Sequence, residues 1–266
     1  MKHIAVVLAG ALTLGTLAGC DVSVSTSSGK AKAAASSAPS APPVPPREAL
    51  ANAVQALDTV AYNFGIKQGD TSGGGRVDHT AHAALVDLNG SLPRGDGTSV
   101  HIALAYTIVA PDMWVKADFG DGLNQKYDLQ PGTWIRVDRT KATGTSHPVD
   151  ANGNPKIGFD DLLADLADVK QTDKTHFTGT VDLTDVDGIL SPTSVALKNA
   201  GDKAKALPFT ATLDDRGRLA TFTIDGSGAD ADLSTQLTFT GYGSVAPVAA
   251  PTSAVEASAK VYELLG

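Results

Sequence analysis

Apolar and polar residues alternate along most of this chain, and a helical period appears only in a few short stretches. Over residues 47–61, Leu50, Val54, Leu57 and Ala61 recur at spacings of four, three and four, which places them on one face of a helix. Beyond that the period is two. Over 101–110, Ile102, Leu104, Tyr106 and Ile108 share one face. Phe177, Val181 and Leu183 alternate with His176, Thr178, Thr180 and Asp182; Leu207, Phe209, Ala211 and Leu213 alternate with Pro208, Thr210, Thr212 and Asp214; Leu233, Leu237 and Phe239 alternate with Ser234, Gln236, Thr238 and Thr240. This pattern predicts antiparallel strands with one wet face. Asp214-Asp215-Arg216-Gly217 separates two such runs and predicts a hairpin turn. Helical spacing returns over 159–166 (Phe159, Leu162, Leu163, Leu166), behind Pro192 over 193–200, and over 253–265, where Val255, Ala259, Tyr262 and Leu265 align. The order helix, many strands, short helices, strands, helix predicts an α+β domain, with helices covering one face of a single broad sheet.

Two segments nearly repeat each other: Met113-Trp114-Val115-Lys116-Ala117-Asp118 and Thr133-Trp134-Ile135-Arg136-Val137-Asp138. Each carries Trp, a cation and Asp on one face and apolar residues on the other. As neighbouring or near-neighbouring strands they would line up indoles and cations on the outer face, where the stems of Lys116 and Arg136 can cover indole. A solvated strand surface accounts for this pattern more simply than a cation–aromatic ligand site does.

The first twenty residues break the pattern. A lone cation, Lys2, precedes an apolar stretch from Ile4 to Leu17, and Leu17-Ala18-Gly19-Cys20 closes it. A basic start, an apolar middle and a small-residue cleavage site form a secretory signal. The stretch is shorter than the roughly 20 residues a membrane-spanning helix needs. Leu-Ala-Gly-Cys resembles the lipobox of bacterial lipoproteins. The resemblance implies removal of residues 1–19, diacylglycerol on the sulfur of Cys20, and acylation of its new amino group. Cys20 is the only cysteine, so no internal disulfide forms. Residues 21–46 hold seven Ser, six Ala and five Pro with no aromatic residue, a composition too poor in apolar area to order itself. With Cys20 they form a tether, and 47–266 form the single folded domain.

The chain has a formal charge of −8. Taking away Lys2 lowers it to −9. Asp21, Lys30 and Lys32 leave 21–46 at +1, so residues 47–266 hold −10. An acidic body without a basic cluster argues against nucleic acid or anionic lipid head groups as electrostatic partners. Attachment at the extracytoplasmic face of the cell membrane would then rest on acyl chains, at about 0.8 kcal/mol per buried methylene.

No catalytic constellation emerges. Gly226-Ser227-Gly228 follows Asp225 and so lacks the first glycine of a nucleophile elbow. His79 and His82 fall within a run, 77–88, that reads as a strand, where a spacing of three points to opposite faces. Asp150-Ala151-Asn152-Gly153-Asn154 opens like a calcium loop, with Asp161 at its twelfth position, but Pro155 occupies the sixth, where glycine makes the turn. Asp160-Asp161 and Asp214-Asp215 read as helix-start and turn residues. No metal, cofactor or enzymatic activity is expected.

The lipobox, the tether, the opening helix and the two Trp strands resemble the actinobacterial LppX/LprAFG lipoproteins. So do the Leu207-Pro208-Phe209 strand that runs into Asp214-Asp215-Arg216-Gly217-Arg218, and the ending Ala250-Pro251-Thr252-Ser253. The resemblance covers about 47–266. It implies a LolA-like fold, a strongly curved antiparallel half-barrel whose concave face is covered by helices around an apolar cavity for acyl chains. It further implies a role in carrying or presenting a lipid or lipoglycan, with an envelope transporter as a candidate partner. The 143–158 loop, long and polar, departs from the family. Bulky residues on the apolar strand faces are the cavity candidates: Leu104, Tyr106, Ile108, Val115, Ile135, Val137, Val181, Leu213, Phe222, Ile224, Leu237 and Phe239. Helices that fill the space completely would instead give an ordinary core, and a non-catalytic envelope scaffold with a protein partner.

Overall fold

A computed structural model describes residues 44–265, apart from 94–97, 143–147, 151–153, 165 and 187 and the side chains of 92, 93, 160, 161 and 188. The expected signal segment, Cys20, the tether as far as residue 43 and half of the 143–158 loop lie outside the described residues. The chain opens with helix α1 (Pro46–Thr59), followed by strands β1 (Tyr62–Gln68), β2 (Thr71–Asp78), β3 (Ala83–Pro93), β4 (Ser99–Val109) and β5 (Asp112–Asp118). Helix α2 (Asp121–Lys126), β6 (Ile135–Val137), α3 (Phe159–Ala164), β7 (Leu166–Gln171), β8 (His176–Val181) and α4 (Ser194–Ala200) come next. Then β9 (Leu207–Leu213), β10 (Leu219–Ile224), β11 (Thr235–Thr240), β12 (Val255–Glu256) and α5 (Ala259–Leu265) complete the chain. All twelve strands join one curved, open sheet in the order β12-β6-β5-β4-β3-β2-β1-β11-β10-β9-β8-β7. Pairing is antiparallel except between β12 and β6.

Pro45 and Pro46 start α1, where a missing N–H costs nothing. Leu50, Ala53 and Leu57 are its buried stripe, and it packs on β7, β10 and α3. Beneath it the interior is filled with rings. Phe159 of α3 meets Phe239 at 5.0 Å and Phe64 at 5.4 Å, both edge-on, and Phe209 stacks on Phe222 at 4.9 Å. The 214–217 turn joins β9 to β10 as expected. The Asp214 carboxylate accepts from the Arg216 and Arg218 amides and pairs with the Arg218 guanidinium at 2.7 Å. Gly73 and Gly75 lie where β2 passes unusually close to β3: a Cβ at either would collide with the carbonyl of Asp87 or Leu85. Only glycine permits that approach.

Several expectations need correcting. Residues 79–82 are a turn between β2 and β3, so His79 and His82 are not on a strand; the Asp78 carboxylate accepts from the Ala81 amide and closes the turn. Leu233 lies in a 3-10 turn before β11. Helix α3 stops at Ala164 and Leu166 begins β7. The final helix starts at Ala259 rather than 253; Val255, 47 % exposed, pairs with Ile135 instead of packing inward. The sheet's second face is also less wet than alternation implies. Arg76, Leu85, Thr107, Trp114 and Arg136 form one row across β2 to β6. Arg76 donates from Nη2 to the Pro247 carbonyl at 3.4 Å, so the 241–254 segment crosses this face on its way from β11 to β12. Thr107 and Trp114 are buried there. The paired Trp strands are neighbours as expected, and the Lys116 ammonium lies 4.8 Å from the Trp134 ring. At the opposite rim, β7 carries a register shift between Ala167 and Lys170, with Asp168 at φ 50°.

Candidate apolar site beneath the last helix

The interior is unevenly filled. Where α1 and α3 lie, side chains pack ring against ring. Where α5 lies, an apolar void of about 110 Å³ remains between the helix and β4–β5. Its sheet wall is Leu104 and Tyr106 of β4 with Val115 and Ala117 of β5. Leu104 faces Ala117 and Tyr106 faces Val115 in the antiparallel register. Phe119 and Leu129 close one side, and Val261, Leu264 and Leu265 of α5 form the cover.

Each wall is positioned by local chemistry. The Asn124 side chain, buried in α2, donates to the Asp118 carboxylate at 2.7 Å and accepts from the Phe119 amide at 2.9 Å. Its backbone carbonyl accepts from the Leu129 amide at 2.8 Å. One residue thus fixes both Phe119 and Leu129. The Asn124 amide, followed by the Gly120 N–H, also holds the Asp118 carboxyl below its ordinary range. Helix α5 is tethered more lightly. The Tyr262 hydroxyl accepts from the Asp138 amide at 3.0 Å, and Lys260 reaches Asp128 at 2.9 Å. That ion pair is half exposed, the kind worth at most about 1 kcal/mol. Only Val261 of the helix is fully buried. Tyr262, Leu264 and Leu265 pack against the core only in part.

Tyr106 is the one side chain lining the void that bears a polar atom. It is 4 % exposed. Burial pushes its ionisation up to about 12, because no neighbour supports the phenolate.

Of the twelve residues expected to line a cavity, the structure brings three to this void: Leu104, Tyr106 and Val115. Ile108, Ile135 and Val137 lie on the same side of the sheet, all buried. Val181, Phe222, Ile224, Leu237 and Phe239 are buried near α1 and α3, where rings occupy the space a ligand would need. Leu213 is half-buried at the β9–β10 hairpin. None of these nine lines the space beneath α5, though Ile224 and Val137 each border another cleft. Ala117, Phe119, Leu129, Val261, Leu264 and Leu265 were missed. Ala117 was legible, since it shares alternation with Val115; Phe119 and Leu129 depend on the Asp118–Asn124 clasp, which no periodicity announces.

Larger clefts lie elsewhere on the surface. One, of about 570 Å³, is lined by Arg136, Asp138, Arg139, Lys141, Glu256 and Tyr262 among others. Arg136 pairs with Asp112 at 2.6 Å and Glu256 at 3.5 Å, and Lys141 with Asp138 at 3.4 Å. The other, about 420 Å³, runs past Lys67, Asp70, Asp232 and Gln236. Asp150 accepts from the Asn154 amide at 2.8 Å and organises its own turn. Among the described residues, no group of three or more His, Cys, Asp or Glu side chains converges as a metal site, and no helix is long and apolar enough to cross a membrane. Comparisons of the chain with protein-family models, curated proteins and solved structures found no match.

Proposed function

We propose that this chain is an envelope lipoprotein, anchored by acyl groups at Cys20, that binds an acyl chain of a lipid or lipoglycan between its curved sheet and α5 and carries or presents it without catalysis. The observation that carries this reading is the apolar pocket of about 110 Å³ beneath α5. An apolar space of this kind accepts hydrocarbon in preference to water. The resemblance to the LppX/LprAFG lipoproteins, with their LolA-like half-barrel, supports the same reading, as does the single curved sheet. At about 110 Å³ the void is smaller than the roughly 300–1,000 Å³ of a typical ligand site. The described form is therefore closed, and loading requires α5 to lift from β4 and β5. A transporter of the envelope would supply or receive the lipid.

The test is direct. Organic extracts of the purified full chain, analysed by mass spectrometry, should contain a lipid that detergent washing removes, and the washed protein should bind a fluorescent fatty acid. An extract without lipid, joined to absence of fatty-acid binding, refutes the reading. A second reading, an envelope scaffold with a protein partner, is favoured by the ring-filled interior beneath α1. It expects no lipid in the same extract.

A further inference from the structure

We infer that the cleft between α5 and the residues that follow β6 holds a phosphate group, borne on the molecule whose acyl chain lies beneath α5, with Arg139 and Lys141 as its partners. This deepens the acyl-binding reading and rests on it. The starting point is an uneven pairing of charges. Three cations and three acids line this cleft of about 570 Å³. Arg136 serves two of the acids, Asp112 at 2.6 Å and Glu256 at 3.5 Å. The third, Asp138, accepts from the Thr140 amide at 3.0 Å and from the Thr140 hydroxyl at 2.7 Å. Arg139 is left over. It is half-buried, lines the cleft, and has no hydrogen bond or ion pair among the described residues, and none of its nitrogens is sealed from solvent.

Lys141 is the second partner because its present one does not depend on it. The Lys141–Asp138 pair spans 3.4 Å and is exposed, the kind of pair that contributes little. What holds the Asp138 carboxyl below its ordinary range is first the Thr140 hydroxyl and then the Thr140 amide. Lys141 can therefore turn to a ligand while Asp138 stays satisfied. Its ammonium lies 5.7 Å from the Tyr262 ring, and the Tyr262 hydroxyl accepts the Asp138 N–H at 3.0 Å. Tyr262 belongs to α5, whose Val261, Leu264 and Leu265 cover the acyl pocket, so one helix borders both spaces. When it lifts to admit a tail, the Asp138 N–H loses its acceptor and becomes a third donor. A guanidinium fork, an ammonium and an amide together suit the several oxygens and the double charge of a phosphate better than a carboxylate. The acidic body acts on anions from a distance, where salt screens it; inside the cleft each acid already has a donor.

Isothermal titration calorimetry of the full chain at pH 8 with octyl phosphate, octanol and inorganic phosphate separates the possibilities. Octyl phosphate should bind about tenfold or more tightly than octanol, the scale of a charge-assisted hydrogen bond. It should also bind more tightly than inorganic phosphate, which has no tail. Its advantage over octanol should shrink as salt is raised. Arg139→Gln should bring octyl phosphate to within about threefold of octanol, and Lys141→Gln should remove part of the preference. Lys67→Gln, in the other cleft, should leave it intact. Equal binding of octyl phosphate and octanol by the unaltered chain overturns the inference while leaving acyl binding intact. A preference that survives in Arg139→Gln does the same. Inorganic phosphate bound as tightly as octyl phosphate overturns it too, by showing that the cleft takes the free ion. Binding of neither octyl phosphate nor octanol overturns the underlying function.

Discussion

Filling the void from its own wall gives opposite results for a real space and for a packed core. Ala117 is buried on β5, opposite Leu104 of β4, and both line the space beneath α5. Ala117→Leu adds three carbon atoms there. If they enter about 110 Å³ of empty apolar space, each buried methylene contributes about 0.8 kcal/mol. Fixing the new side chain takes back about 0.5–1 kcal/mol. The variant should therefore be more stable by about 1–2 kcal/mol. In a core already packed to native density, the same enlargement destabilises by about 1–3 kcal/mol. The sign alone decides. Urea unfolding followed by circular dichroism should show a higher midpoint at an unchanged slope. Fatty-acid affinity should fall at least tenfold, because the leucine occupies the ligand's place. A lower midpoint, or undiminished fatty-acid binding, would refute the reasoning.

The other expectations are simpler. Gly75→Ala sets a methyl against the Leu85 carbonyl and close to the Phe64 ring, and should lower stability by at least about 2 kcal/mol in the same assay. Thr193→Ala removes the hydroxyl that accepts from the Ala196 amide at 3.1 Å at the start of α4, and should cost about 1 kcal/mol. Tyr106 stays protonated in the fold until pH 12 or so, whereas the unfolded chain releases that proton near 10. Between those values the unfolded state binds fewer protons, so stability should fall by roughly 1–1.5 kcal/mol per pH unit. Tyr242, also raised chiefly by burial, adds to the same slope, and Tyr106→Phe should flatten it in a pH series of urea midpoints. Cys20→Ser should shift the chain from membrane to soluble fractions and abolish incorporation of an alkyne-tagged fatty acid; a variant that remains in the membrane pellet argues against the proposed anchor.

Alternation carried most of the sheet into view before any coordinates. Leu207, Phe209 and Ala211 are buried while Pro208 and Thr210 are exposed, because period-two burial is a direct property of a strand with one covered side. Strands β1 and β2 were not delineated. Gly73, Gly74 and Gly75 leave no side chains to alternate, and what they serve is backbone approach. Helix α5 was placed too early because Val255 falls in phase with Ala259 and Tyr262 by sequence. The parallel bridge to Ile135 and Arg136 settles its conformation instead. The site was harder still. Nine of the expected cavity residues are apolar and inward, yet filled space and empty space demand the same residue types. What separates them is where Phe159 and Phe239 place their rings and how short α5 is, both consequences of tertiary packing.

The bulged rim at β7 has a consequence for how copies of the chain meet. An open sheet ends in rows of unsatisfied amides and carbonyls that can recruit a second chain and start polymer growth. At one end of this sheet that row is only two residues long, Val255 and Glu256. At the other, the Asp168 kink interrupts it, with exposed Asp168 and Lys170 alongside. The two rims therefore offer another chain only short or interrupted rows to pair with.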